Sequence, residues 1–139
     1  MRASVYLKKL EKKETILRQM LEEFKEFIAT EEGVKGIIYK DKVQTSKDGD
    51  LSDTMARKEE LLAKINIKKM DYTQYRAEVV ENIHKLSKVS YLEVLYNRYI
   101  KKLTYKEIAS VMGYTASHVK TLHREACEEL ENTVLNNTN

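Results

Sequence analysis

The 139-residue sequence contains no proline, no tryptophan, four glycines and one cysteine. Because proline breaks helices, a chain without it can form long, uninterrupted helices. A single cysteine excludes an internal disulfide, and the neighbours of Cys127 predict a small buried side chain on a helix. The sequence also lacks a run of eighteen apolar residues and an amino-terminal signal-peptide pattern. We therefore expect a cytoplasmic protein without a transmembrane helix.

Residue patterns for catalysis or metal binding are also missing from the sequence. The three histidines, His84, His118 and His123, and the one cysteine do not show the paired spacing of zinc ligands. His123 lies four residues before Cys127 on the same predicted helix, but no other feature resembles a cysteine hydrolase. There is no carboxylate cluster for a catalytic metal and no glycine-rich phosphate loop. The sequence therefore predicts no enzyme and no cofactor.

Positive charge is concentrated in one part of the chain. Charged residues make up 34% of the sequence, but the net charge is only +3. Residues 88–126 carry seven lysines and arginines against three glutamates, which gives +4, and residues 127–139 carry three further glutamates and no lysine or arginine. A local basic segment is typical of proteins that neutralise nucleic-acid phosphates. Residues 88–126 are therefore the candidate nucleic-acid-binding region.

Residues 104–124 have the pattern of two short helices joined by a tight turn. Thr104 and Glu107 have the spacing of a capping box, which starts a helix. Gly113 can adopt the positive φ angle that ends a helix, and Thr115 can cap the next one. The residues predicted to face inward are Ile108, Ala109, Met112, Tyr114, Val119 and Leu122. The pattern predicts a helix-turn-helix, and an ordinary helical hairpin in a bundle core is the alternative.

Two long amphipathic helices are predicted ahead of this motif. Apolar residues recur at three- and four-residue steps over residues 2–29, and with heptad-like spacing from Ser52 or Asp53 to Ser87. Residues 30–52 contain glycine-bearing, turn-prone stretches and are predicted to form a packed loop or a mobile linker. A helix of about 34 residues is about 50 Å long and needs a partner along its length. An antiparallel hairpin, alone or completed by a second subunit, would supply that partner.

The predicted fold is all-α, with a long amino-terminal helical hairpin or coiled-coil arm followed by a helix-turn-helix domain. The arm covers residues 1–87 and serves in oligomerisation, and the domain covers residues 88–131. A third helix at 89–101 is predicted to cover the helix pair that follows it. The polar residues 132–139 are predicted to form a flexible, fraying tail.

Several short motifs carry a resemblance to known families. They are Arg-Tyr-Ile at 98–100, Thr-Tyr-Lys-Glu-Ile-Ala at 104–109, Met-Gly-Tyr-Thr at 112–115 and His-Arg-Glu-Ala at 123–126. Through them residues 91–130 resemble the region-four helix-turn-helix of bacterial sigma factors. The whole layout, with Val-Gln-Thr-Ser at 43–46, is similar to small phage transcriptional regulators of the ArpU and RinA type. The resemblance implies a DNA-binding regulator of phage or prophage genes that acts with host RNA polymerase.

The outward face of the second helix of the motif supplies the candidate base contacts. In helix-turn-helix proteins the early turns of this helix enter the major groove. Alanine and threonine methyl groups suit the thymine methyl group, whereas lysine and arginine can contact guanine or phosphate. The predicted base contacts are Ala116, Ser117, Lys120, Thr121 and Arg124. The predicted phosphate contacts are Lys101, Lys102, Lys106, Thr115 and His118.

Together these features predict a sequence-specific transcription regulator that binds double-stranded DNA. Because several of the predicted base contacts are short side chains, one helix alone would select its site poorly. We therefore expect a homo-oligomer, most simply a dimer, that binds repeated half-sites on the nucleoid in the cytoplasm of a bacterial host. The alternatives are an adaptor that binds RNA polymerase or a sigma factor, and a DNA-binding oligomer like a terminase small subunit.

Overall fold

The structure is a computed structural model that describes the backbone of residues 1–41 and 48–136 and the side chains of residues 1–30 and 52–136. Over these residues the elements are α1 (Ala3–Asp41), α2 (Asp48–Ile83), α3 (Val89–Leu95), a π-helical turn (Tyr96–Ile100), α4 (Tyr105–Met112), α5 (Ala116–Glu129) and a second π-helical turn (Leu130–Leu135). The described residues contain no β-strand. The predicted all-α class, with long helices ahead of a helix-turn-helix, is therefore confirmed. None of the described helices is long and apolar enough to cross a membrane.

Both long helices extend further than predicted into the segment between them. Helix α1 continues through residues 30–41, and α2 begins at Asp48, four residues before Ser52. The prediction of a loop over residues 30–52 is therefore wrong where these helices run, and residues 42–47 lie outside the described residues. A glycine in a helix costs only about 1 kcal/mol relative to alanine, and the glutamates and lysines beside these glycines favour helix. Without proline, no residue there forces a helix to end.

Contacts within the chain divide it into two compact units. The first unit joins residues 1–12 to residues 73–139, and the second unit consists of residues 13–72. The first unit therefore combines the helix-turn-helix with the start of α1 and the end of α2. The division into an arm at 1–87 and a domain at 88–131 concerns independent folding, and it stays a prediction.

The first unit contains most of the fully buried apolar side chains. Those exposed by 2% or less are Leu7, Leu10, Val79, Ile83, Val94, Leu95, Ile108, Val119, Ala126 and Leu130. They come from all five helices and from the residue that follows α5. Polar bonds also join the long helices here, because the Tyr75 hydroxyl donates to the backbone oxygen of Tyr6 at 2.8 Å and Asn82 donates to the Tyr6 hydroxyl at 2.7 Å. The helix-turn-helix therefore shares one core with the beginning of the chain.

The residues after α5 continue as a helical turn. Leu130 and Val134 are buried at 0% and 7% exposure. Glu131 accepts a hydrogen bond from the backbone N–H of Ala3 at 3.2 Å, which connects this turn to the start of α1. The prediction of a flexible tail from residue 132 is therefore wrong as far as Leu135, because the apolar pair four residues apart packs one face of the turn. Residues 137–139 lie outside the described part of the chain.

The second unit is formed by α1 and α2 alone. Lys13 forms an ion pair with Asp71, and the Tyr72 hydroxyl donates to the Glu14 carboxylate at 3.2 Å. These contacts join the beginning of one helical segment to the end of the other, so the two segments run antiparallel. Ile65 is buried at 5% exposure. Several apolar side chains remain exposed in this unit, namely Leu21, Met55, Leu62, Ile67 and Met70.

The third predicted helix, at 89–101, consists of α3 and the first π-helical turn. The backbone N–H of Lys101 donates to the Tyr96 oxygen at 3.1 Å, which closes the wider turn. The N–H of Leu103 then donates to the Asn97 oxygen at 2.9 Å, and Lys102 has a positive φ of 61°. The chain thereby changes direction before α4. Such π-helical turns occur frequently at functional sites.

Candidate nucleic-acid interface

Helix α4 starts at the predicted capping box. The N–H of Glu107 donates to the Thr104 hydroxyl at 3.1 Å, and the N–H of Thr104 donates to the Glu107 carboxylate at 2.9 Å. These hydrogen bonds favour the ionised carboxylate and lower the pKa of Glu107. The capping box is therefore confirmed, and it places a negative charge where the helix dipole favours one.

The turn between α4 and α5 is also confirmed. Gly113 has a φ of 74°, and its N–H donates to the oxygen of Ala109. The N–H of Tyr114 donates to the same oxygen at 2.9 Å. The Thr115 hydroxyl then accepts the N–H of His118 at 3.1 Å and caps α5. Three residues thus separate the two helices.

Replacing Gly113 with alanine is expected to destabilise the protein by about 1–2 kcal/mol. A residue with a β-carbon is disfavoured in the left-handed region by about this amount. Apart from Gly113 and its two chain neighbours, no described residue has an atom within 4 Å of the added carbon, so the cost arises from the local backbone. Gly113→Asn should lose less, because asparagine visits this region more readily. Urea unfolding measures both variants, and an alanine variant as stable as the wild type would contradict the expectation.

The inward face of the helix pair agrees with the sequence prediction except at one position. Ile108, Ala109, Val119 and Leu122 are buried, and Met112 is half-buried. Tyr114 is 42% exposed, so the prediction that it faces inward is wrong. The left-handed backbone of Gly113 redirects the chain just before Tyr114. The Tyr114 ring therefore packs edge-on against the exposed His118 ring, with 4.6 Å between the two ring centroids.

The five predicted base-contact residues lie on α5 and differ in exposure and in the contacts that their side chains already make. Ala116, Ser117 and Lys120 are exposed. Thr121 is half-buried, and its hydroxyl donates to the backbone oxygen of Ser117 at 3.2 Å. Arg124 is exposed and pairs with Glu128 at 3.5 Å. The first turns of α5 therefore present a surface of small side chains and one lysine.

The five predicted phosphate-contact residues are all exposed. Lys101 and Lys102 follow the first π-helical turn, and Lys106 lies in the first turn of α4. The Thr115 hydroxyl is already used as the cap of α5, and the His118 ring packs on Tyr114. The three lysines therefore lie exposed on the helix-turn-helix surface, whereas Thr115 is held by its role in the fold.

A group of aromatic and basic side chains, missed by the sequence reasoning, connects these elements. We call it the Tyr105 cluster, and its members are Arg98, Tyr99, Tyr105, Lys120 and His123. The Arg98 guanidinium carbon lies 4.4 Å from the centroid of the Tyr105 ring, and the Lys120 ammonium lies 5.9 Å from the same centroid. Its members are too far apart in sequence for a local pattern to join them. The available signal was the presence of tyrosines among the basic residues of 88–126.

Within the Tyr105 cluster, a partly buried hydrogen bond connects the first π-helical turn to α5. The Tyr99 hydroxyl lies 2.7 Å from Nε2 of His123. Burial raises the pKa of Tyr99, and burial together with the nearby Arg98 cation lowers the pKa of His123. The tyrosine therefore keeps its proton, the imidazole stays neutral, and the two side chains share one hydrogen bond.

Folding stability is expected to fall as the pH drops below about 6.5, the ordinary pKa of histidine. Below that pH, His123 binds a proton in the unfolded chain but stays neutral in the folded protein. Because the unfolded chain binds more protons, acid favours unfolding. The contribution is fully present above pH 6.5 and is lost towards the lower pKa of the folded state. Thermal melting between pH 7.5 and 5 measures it. The variant His123→Gln should lose this part of the pH dependence, and an unchanged pH profile would contradict the assignment.

Cys127 is a structural residue rather than a reactive thiol. Its Sγ lies 3.8 Å from Nε2 of His123, and burial raises the pKa of the thiol to about 11. At neutral pH the thiol is therefore protonated and a poor nucleophile. Among the residues that the structure describes, no group of three or more histidine, cysteine, aspartate or glutamate side chains could hold a metal ion.

Comparison with known proteins agrees with this geometry. The family model for sigma-70, region 4 matches residues 92–132, fewer than a third of the 139 residues. The match begins within α3 and covers the first π-helical turn, α4, α5 and the beginning of the second π-helical turn. Comparisons with curated proteins and with solved structures gave no match. The carboxy-terminal part of this chain is therefore a helix-turn-helix like region 4 of sigma-70, a DNA-binding type of module.

Proposed function

We propose that the protein is a sequence-specific transcription regulator that binds double-stranded DNA through α5. The observation that carries this proposal is the region-four-type helix-turn-helix, whose second helix leaves Ala116, Ser117 and Lys120 exposed on its first turns. This is the part of the motif that enters the major groove in helix-turn-helix proteins. The basic residues around it supply the attraction to phosphate.

The roles of the individual side chains follow from their surroundings. Ala116 and Ser117 would contact base edges, and Thr121 would contribute its methyl group because its hydroxyl is bonded to the backbone. Arg124 would exchange its exposed partner Glu128 for guanine or phosphate. Lys101, Lys102 and Lys106, with His118 and the cap residue Thr115, would lie along the phosphate backbone.

Selectivity would come from pairing two copies through the helices of the second unit. Ile67 and Met70 are 66% and 64% exposed, although both are large apolar side chains. A second copy of the chain would cover such residues, and the dimer would present two helix-turn-helix modules to repeated half-sites. Light scattering of the full chain should show a dimer. Replacing Ile67 and Met70 with glutamate should give monomers, whereas Asn66→Glu, on the same helix, should not. A wild-type monomer at every concentration would contradict the proposal.

The cellular setting is proposed from the resemblance of the layout to phage regulators of the ArpU and RinA type. In that setting the protein would act on phage or prophage genes at the nucleoid of a bacterial cell, together with the host RNA polymerase. A region-four-like module is regulatory rather than catalytic, which fits this role. Co-purification of polymerase with the full chain from a bacterial host would test the partnership.

The DNA-binding proposal is tested by selecting duplexes from a randomised pool with the purified full-length protein. The wild type should enrich a common sequence, and the double variant Lys120→Ala with Arg124→Ala should lose that enrichment. A matched double variant, Lys64→Ala with Lys68→Ala in the second unit, removes the same charge and should behave like the wild type. An adaptor that binds only polymerase or a sigma factor would not enrich any duplex. Failure of the wild type to enrich a common sequence would therefore contradict the proposal.

A further inference from the structure

Two cations of the Tyr105 cluster have aromatic contacts but no acidic partner within the described part of the chain. Arg98 donates to the backbone oxygen of Leu103 at 3.1 Å and packs on the Tyr105 ring. Lys120 lies over the same ring. Arg124, the residue after His123, differs because it pairs with the carboxylate of Glu128. The charges of Arg98 and Lys120 are therefore left for an external anion to neutralise.

Arg98 is the more informative of the two because it is half-buried. Moving a guanidinium out of water is costly unless hydrogen bonds or a counter-charge replace the lost hydration. The Tyr105 ring compensates in part, and one of the five guanidinium N–H groups is used on Leu103. The remaining N–H groups form a planar fork of the kind that matches phosphate oxygens. A phosphate group would complete the compensation.

The shared Tyr105 ring also limits the distance between the two cations. Both distances are measured to one centroid, so the two charged groups are no more than about 10 Å apart. Arg98 belongs to the first π-helical turn, just before Lys101 and Lys102, and Lys120 belongs to the second turn of α5. The pair therefore connects the basic residues that precede α4 with the exposed face of α5.

We propose that Arg98 and Lys120 form a phosphate-binding site for the DNA backbone, with Tyr105 as the positioning residue that holds both cations in place. The proposal rests on the proposed DNA-binding function and deepens it. It adds Arg98 to the phosphate contacts and assigns Lys120 to the backbone instead of a base edge. Holding the two side chains in place before binding reduces the entropy that they lose when DNA arrives.

The salt dependence of binding to a random-sequence duplex tests the site, because phosphate contacts act regardless of sequence. Fluorescence anisotropy with full-length protein over a sodium chloride series gives the slope of log K against log salt concentration. Arg98→Gln and Lys120→Gln should each make the slope shallower by about 0.9, the value for one neutralised phosphate. Lys120 is exposed, so its variant tests the site even if the Arg98 variant is unstable.

Lys88→Gln is the matched control for these variants, because Lys88 is the first residue of the basic segment 88–126 but is not one of the predicted DNA contacts. Its ammonium lies 5.2 Å from the centroid of the Tyr91 ring, a contact of the same kind in the same unit. Lys88 follows Ser87, whose hydroxyl donates a hydrogen bond to the carboxylate of Glu129 at the end of α5. That end of α5 is about 20 Å along the helix axis from Ala116. The control variant should keep the wild-type slope.

The positioning role of Tyr105 is tested by two further substitutions. Tyr105→Phe keeps the ring and should bind within about twofold of the wild type. Tyr105→Leu removes the ring and should weaken binding about two- to fivefold, which corresponds to the strength of an exposed cation–π contact. In the Tyr105→Leu background, Lys120→Gln should then cost less affinity than it does in the wild type. A merely structural role would lower the melting temperature without this loss of coupling.

The outcomes separate the site from the function on which it depends. If the wild type binds the duplex and the Arg98 and Lys120 variants both keep the slope of the Lys88 control, the phosphate site is overturned and the proposed function stands. If the wild type shows no salt-dependent binding to any duplex, the proposed function is overturned and the phosphate site with it. Shallower slopes in both variants, with an unchanged control, support the site.

Discussion

Deleting residues 1–12 is expected to abolish cooperative folding of the unit that carries α4 and α5. Leu7 and Leu10 in this segment are exposed by 0% and 2%, and Tyr6 by 5%. Burying a leucine side chain stabilises a fold by about 1.5–3 kcal/mol, and the net stability of a domain is only about 5–15 kcal/mol. The loss of three such side chains would therefore remove a large part of the total. Circular dichroism of the fragment 13–139 should show a broad or absent thermal transition.

Point variants in α1 provide the control for this deletion. Leu7→Ala combined with Leu10→Ala should reproduce most of the destabilisation, whereas Val5→Ala should be nearly neutral because Val5 is 55% exposed. The predicted domain boundary between residues 87 and 88 implies the opposite result, namely that residues 88–139 fold without the start of the chain. A fragment of residues 88–139 that melts cooperatively at the temperature of the full chain would favour that boundary and contradict the shared core.

Replacing Ile108 with alanine is expected to destabilise the protein by about 2–5 kcal/mol. Ile108 is fully buried in α4, and removing its side chain loses apolar contacts and leaves a cavity. Val111 lies on the same helix but is 68% exposed, so Val111→Ala should change stability by no more than about 0.5 kcal/mol. Urea unfolding of the two variants measures the difference. Equal stabilities would show that α4 does not pack as described.

The helix-turn-helix could be predicted from the sequence because its signals are local. The capping box at Thr104 and Glu107 and the glycine turn at Gly113 each specify hydrogen bonds or a φ angle within a few residues. The apolar spacing then identified Ile108 and Val119 as core residues, and both are fully buried. Tyr114 was assigned wrongly because the left-handed residue before it redirects the chain, which side-chain spacing does not record.

Contacts between distant parts of the chain could not be predicted in this way. Tyr99 and His123 are 24 residues apart, and Ala3 and Glu131 are 128 residues apart. No periodicity links such pairs, because their meeting depends on how whole helices pack. The extension of α1 to Asp41 was missed for a different reason, since glycines were given more weight than the surrounding helix-forming residues and the absence of proline.

The most direct measurement of the central claim is the change in backbone amide chemical shifts when the selected duplex is added to isotope-labelled full-length protein. The claim is that α5, the basic residues before α4 and the first turn of α4 form the DNA-binding surface. It predicts that the largest changes fall on residues 116–124 and 101–106, with little change in residues 13–30 and 52–72. Changes confined to the second unit, or none at saturating duplex, would contradict it.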